Sequence, residues 1–223
     1  MSGEGAPEDV PFSLQADSAP ATRSTRVNEC MQLLLASGAG KVVHDVRKGS
    51  RPLMAHLDGT RALLEAAGYP ESVYLAGLTH SVYGTNKFTM ESIVADEEGR
   101  RRVREAAGGE AEHLAYIFCS IRRPATLNAA LGDRAAGRGG REEVELAGRG
   151  DMGVVRVSPR EFEQLVAIEV ANCLEQDLQV QLETLYPHLA SDASFARILG
   201  VVPRQGTGVL QALHRTLARC SVQ

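Results

Sequence analysis

The chain has 223 residues, a formal net charge of −4 and 43 % hydrophobic residues, enough apolar side chains for one domain with a real core. A pI of about 5.9, no tryptophan and 4 % aromatic residues leave neither a global basic field nor a base-stacking platform, so no nucleic acid partner is expected. No apolar run approaches the ~20 residues needed to cross a membrane, and MSGEGAPEDVPFSLQ lacks the basic start and apolar centre of a secretory signal, so a cytoplasmic protein off the membrane is expected.

Residues 1–22, rich in Gly, Pro, Ser, Ala and acid, read as a disordered N-terminal tail, and 23–223 as one helical domain. Ser24 or Thr25 can cap a first helix whose apolar positions Val27, Met31, Leu34 and Leu35 fall at helical spacing, and Gly38 ends it. Residues 38–49 read as a loop. GAGK within it lacks the upstream Gly and following Ser or Thr of a phosphate loop, and His44–Asp45 reads as a solvent-facing dipeptide.

Ser50 can cap a second helix over 51–67, with Pro52 in its first turn. Leu53, His56, Leu57, Thr60, Leu63 and Leu64 share one face, and Gly68 terminates it. Pro70 opens a third helix, where Val73, Ala76, Gly77 and His80 line one face. TMESIVAD suggests a short helix capped by Thr89, and EEGRRRVREAAGG and EAEHLAYIFCSIRR suggest two more. Arg100, Arg101, Arg102 and Arg104 read as a solvated face, and the Arg134–Arg141 stretch as a surface loop.

EEVEL and MGVVRVS favour short strands, so a small surface hairpin is expected near residues 143–158. Ser158 with Glu161 makes a capping box, with Pro159 at the first helical position of a strong helix carrying Glu169, Asn172 and Cys173. QVQLETLYPHLA and a last helix after Pro203 finish an all-α chain. The scattered Cys30, Cys119, Cys173 and Cys220, with no CxxC, read as buried free thiols of a reducing compartment.

The stretch 53–88 organises the rest. Two histidines on adjacent helices joined by Gly68–Tyr69–Pro70 can face each other across a bundle, where inward-facing imidazoles build metal sites. The bland alternative is a pair of satisfied core histidines. Glu169, three residues before Asn172, shares its helical face within an apolar run, and is either a site carboxylate or a surface one. Arg122–Arg123 could clamp an anion or simply complement a helix C-terminus. Tyr83 could orient a substrate or wedge the core; His113, His188 and His214 read as structural.

The pattern H-L-x-G-T-x-x-L-L…L-A-G-L-x-H-S around His56 and His80 resembles the first half of the HD superfamily, most closely the hydrolase domain of bacterial guanosine tetraphosphate (alarmone) hydrolases. A-G-L-x-H-S-x-Y-G-T-x-x-F, from Ala76 to Phe88, is similar to small uncharacterised bacterial and fungal domains. The resemblance spans roughly residues 28–180 and implies an HD-domain-like helical bundle holding a divalent ion (Mn, Fe, Zn or Co) that activates water toward a phosphate ester. Carried over, His56 and His80 are metal ligands, with Asn172 at the late ligand position. Beside these, Ser81, Tyr83 and Glu169 are the candidate catalytic groups, and Arg122 and Thr85 the candidate substrate contacts.

The match departs where Ser81 replaces the expected Asp, and where Gly84 and Thr85 replace an acidic pair. Hard cations prefer carboxylate oxygens. Either another acid joins the site (Glu91, Glu169, Glu175 or Asp177) or the pocket works without the full metal chemistry. The expected function is metal-dependent hydrolysis acting on a small, phosphorylated or nucleotide-like metabolite. The alternative is a degenerate HD fold serving as a ligand-binding or interaction module, so enzyme status stays open. A diiron oxygenase would need more histidines and acids than can be placed. The oligomeric state stays open, a homodimer being one outcome.

Overall fold

The computed structural model describes residues 24–45, 51–138 and 142–202. The expected N-terminal tail, the Ser50 cap, and the last helix with His214 and Cys220 lie outside them. The described residues are mostly helical, with two small antiparallel strand pairs. None of their helices is long and apolar enough to cross a membrane.

Helix α1 (Thr25–Ala36) starts on Ser24, whose hydroxyl accepts from Val27 N. A 3-10 turn (Ala39–Lys41) follows, and then strands β1 (Val43–Asp45) and β2 (Arg51–Pro52) pair where a plain loop is expected from sequence. Helix α2 (Leu53–Ala66) begins just after Pro52, because the fixed φ and missing N–H of proline suit that boundary. Gly68, at φ 72°, closes it: Tyr69 N returns to Leu64 O, and Arg197 donates to the Ala67 and Gly68 carbonyls.

Helix α3 (Glu71–Thr79) is apolar nearly all round, and such helices belong inside. It packs against α1, α2, α5 (Gly109–Ser120) and α7 (Pro159–Glu175). Gly77 permits this. A Cβ there would sit 2.5 Å from Leu64 Cδ1, so any larger residue must displace that buried side chain.

TMESIVAD forms no helix. Ser92 N and Ile93 N both donate to Val82 O, which tethers the segment in irregular form and buries Ile93. Asp96 then caps α4 (Glu97–Ala107). The arginine face of α4 is not wholly solvated either: Arg100 forks onto the buried Glu112 and stacks over Tyr116. Helix α6 (Ala125–Ala135) takes Arg134 out of the expected loop.

The hairpin forms as expected, β3 (Val144–Ala147) pairing with β4 (Val154–Val157) in register Val144↔Val157. The capping box of α7 is present: Ser158 Oγ accepts from Glu161 N, and the Glu161 carboxylate accepts from Ser158 N. Tyr186–Pro187 splits the next helix into α8 (Gln179–Leu185) and α9 (Pro187–Ala190), because proline cannot continue the ladder. Helix α10 (Ala193–Leu199) follows.

Candidate functional site

Helices α2, α3 and α7 converge on His56 and His80. His56 is fully buried in mid-α2, and His80 is the C-cap of α3. Their Nε2 atoms lie 3.2 Å apart, with the rings at 89°. His56 Nδ1 is 2.5 Å from Glu175 Oε2, at the C-terminal end of α7, and His80 Nδ1 is 2.7 Å from Gly77 O. Arg51 also donates to Glu175. Gly59 makes room for that carboxylate, since a Cβ at this position of α2 would run into it.

These partners set the proton positions. A carbonyl accepts only, and so does a carboxylate gripped by an arginine. Both Nδ1 atoms therefore donate, which leaves two lone-pair-bearing Nε2 atoms 3.2 Å apart. Such a contact is favourable only with a proton or a cation between them. Two imidazoles bound to one ion at about 2.0–2.1 Å, with bond angles near 90–110°, place their nitrogens roughly 2.9–3.4 Å apart. The observed spacing lies in that window, and an Nδ1–H on a carboxylate or carbonyl is the usual outer support of a metal-bound histidine.

Among the described residues, no three His, Cys, Asp or Glu side chains group to hold a metal. Further protein donors would be neutral oxygens. The pair suits an imidazole-preferring ion such as Fe, Co or Zn.

His80 opens onto a cavity of about 600 Å³, also lined by Ser81, Arg123, Glu169 and Asn172. Four of the residues expected from sequence thus meet there: His80, Ser81, Glu169 and Asn172. Ser81 Oγ is buried without a hydrogen-bond partner, and so is Arg123 Nε. Unpaired buried polar groups cost about 1–3 kcal/mol each, so this floor is not fully settled by the protein itself. Arg123 Nη1 donates to Glu169 Oε2 at 2.9 Å, and its guanidinium lies over the Phe118 ring. Cys173 Sγ donates to Glu169 Oε1; burial, then the neighbouring Glu169, pushes that thiol pKa well up. Asn172 Oδ1 accepts from Gln176.

Three expected contacts lie elsewhere. Tyr83 is buried and donates its hydroxyl to Glu112, and burial followed by the Glu112 charge raises its pKa. The chain leaves the helix at His80, so a spacing of three residues no longer keeps Tyr83 on the same face. Thr85 Oγ1 accepts from Phe88 N and Lys87 N, which shapes the turn carrying those two residues to the cavity. Arg122 Nε donates to Gly148 O and ties the helix end to the hairpin. Its neighbour Arg123 lines the cavity instead. Ile121 is extended just past the last helical residue, Ser120, and is bridged to Gly148, while Arg122 N donates to Ala147 O, so helical spacing no longer sets which way Arg122 and Arg123 face.

Of the other acids, Glu91 pairs with Arg149. The side chains of His44 and Asp45 lie outside the described set. His113 pairs with Glu161 on the surface, and the backbone N–H of His188 donates to Asn128. Cys30, Cys119 and Cys173 are buried free thiols.

A family model described as a domain of unknown function (DUF6817) matches residues 33–123, fewer than half of the chain. The matched stretch contains both histidines, Ser81 and Arg123, and ends before Glu169, Asn172 and Glu175. No curated protein and no solved structure matches the chain.

Proposed function

We propose that the chain is an HD-like helical bundle and a metal-dependent enzyme of the cytoplasm. It binds a divalent ion between His56 and His80 and hydrolyses a small phosphorylated or nucleotide-like metabolite. The observation that carries the reading is the Nε2–Nε2 contact of 3.2 Å with both Nδ1 atoms committed to acceptors. The adjoining cavity, with its buried arginine and unpaired serine hydroxyl, supports a ligand site beside that pair.

The ion, when bound, would supply a water of lowered pKa and polarise a substrate oxygen. The chain's own residues do the rest. Glu175 and Gly77 fix the imidazole tautomers and ring planes. Asn172 and Ser81 offer neutral oxygens beside His80. Glu169 holds Arg123 by one nitrogen and is a positioning residue here.

The absence of a third anionic or sulfur ligand among the described residues favours a second reading, a binding module without turnover. Metal content by plasma mass spectrometry separates the two. Near-stoichiometric Fe, Co or Zn in the purified wild type, lost in folded His56→Ala and His80→Ala variants, is expected. A folded wild type that neither retains nor takes up metal would sink the enzyme and leave the binding module.

A further inference from the structure

Four arginines among the described residues share a habit. Arg100, Arg101, Arg138 and Arg156 each turn the Nε–Nη2 edge of the guanidinium onto a carboxylate: Glu112, Glu98, Asp133 and Glu145. This side-on fork matches the spacing of two oxygens on a carboxylate or phosphate. Arg123 departs from the habit. Only its Nη1 is taken, by Glu169, while Nε is buried without a partner and Nη2 enters no hydrogen bond among the described residues. The side chain is 5 % exposed, and it lines the cavity next to Ser81, 3 % exposed, whose hydroxyl is likewise unpaired.

The opposite wall of the cavity is of another kind. Phe88, Leu178, Leu182, Leu185 and Tyr186 line it, and Leu185 is 64 % exposed at the rim. The volume, about 600 Å³, suits one small organic molecule. Lys87 stands exposed among the lining residues and adds a positive charge to the one that Glu169 neutralises on Arg123.

We infer that the ligand is amphipathic: an oxyanion head grips the Nε–Nη2 edge of Arg123 and the Ser81 hydroxyl, and an apolar body lies along the α8 wall. A small turn of the guanidinium and of Ser81 χ1 brings the covered donors to the head. This inference names the ligand class of the site proposed above and rests on its being a ligand site, though not on the ion. It shifts the substrate away from a nucleotide, whose polar body would waste the leucine wall.

The test is calorimetric titration of the full chain with hexyl phosphate, hexanoate, inorganic phosphate and hexanol, with metal content measured on the same sample. Binding of hexyl phosphate or hexanoate, whichever head fits, at least about tenfold tighter than inorganic phosphate and hexanol is expected. Arg123→Lys keeps the charge and loses the fork, and should weaken the preferred probe about tenfold or more. Leu185→Asn, a neutral change at an exposed position, should weaken the alkyl probes more than inorganic phosphate.

Equal binding of alkylated and inorganic phosphate, or an Arg123→Lys protein that melts like wild type and binds unchanged, would overturn the inference. So would a metal-loaded wild type that binds none of the probes, which leaves the enzyme reading standing. Probe binding as expected in a protein that takes up no metal supports the inference and removes the enzyme.

Discussion

Replacing Glu175 by Gln keeps an acceptor beside His56 Nδ1 but removes its charge, and with it the extra basicity the ring gains from a carboxylate partner. Metal affinity should fall about 10–100-fold, read by competition with a chromogenic chelator, while the helical circular dichroism holds. Ser81 allows the complementary experiment. Its hydroxyl has no partner to lose, so Ser81→Asp introduces an anion beside His80 at little cost in hydrogen bonds. Without metal, the buried carboxylate should lower the melting temperature; with Mn or Zn it should restore it and raise affinity above wild type. Unchanged affinity would show that this side chain does not reach the ion. At this scale the sequence was a fair guide to residues whose backbone is helical, since His56, Glu169 and Asn172 follow from helical spacing alone. It failed one step past a helix end. Choosing Arg123 over Arg122 requires knowing that Ser120 is the last helical residue, and Glu175 was one of four acids until the approach of α7 to α2 selected it.

Two glycines set the spacing of elements around the site. Gly77 brings α3 against Leu64 of α2, and Gly59 brings α7 against α2 where Glu175 reaches over. Gly77→Ala should cost about 1–3 kcal/mol, because the new methyl meets a packed leucine and the helices must part or strain. It should also loosen metal binding, since parting α2 from α3 separates the imidazoles; urea melts and chelator competition on one sample check both effects. A stability loss with unchanged metal affinity would mean that the helices absorb the methyl locally. The helices carrying the site were readable from apolar period and caps, above all Ser158, Pro159 and Glu161. TMESIVAD was not, because its shape comes from the Val82 carbonyl, a tertiary tether without a local pattern.

Burial keeps the thiols of Cys30, Cys119 and Cys173 protonated. It lifts Cys30 to about 12 and Cys119 to about 11, against an ordinary value of 9.0. Their folded pKa values are raised, so the stability linked to them is full below about pH 9. It is lost as the pH rises through about 11 and 12, where the unfolded chain has already released its protons. A Cys220→Ser variant should therefore show almost no reaction with a thiol reagent at pH 8 until it is unfolded. Its melting temperature should begin to fall above pH 9. Rapid labelling of the native protein at pH 8 would contradict this burial.

The His56 ring is steadied from 119 residues downstream, and the end of its helix is clasped by Arg197 still later in the chain. The two histidines lie inside the stretch that the family model covers, and both supports lie beyond it. The geometry of the pair is complete only once α7 and α10 have docked, so any ion taken up at the proposed site would be held by supports that the far end of the described chain supplies.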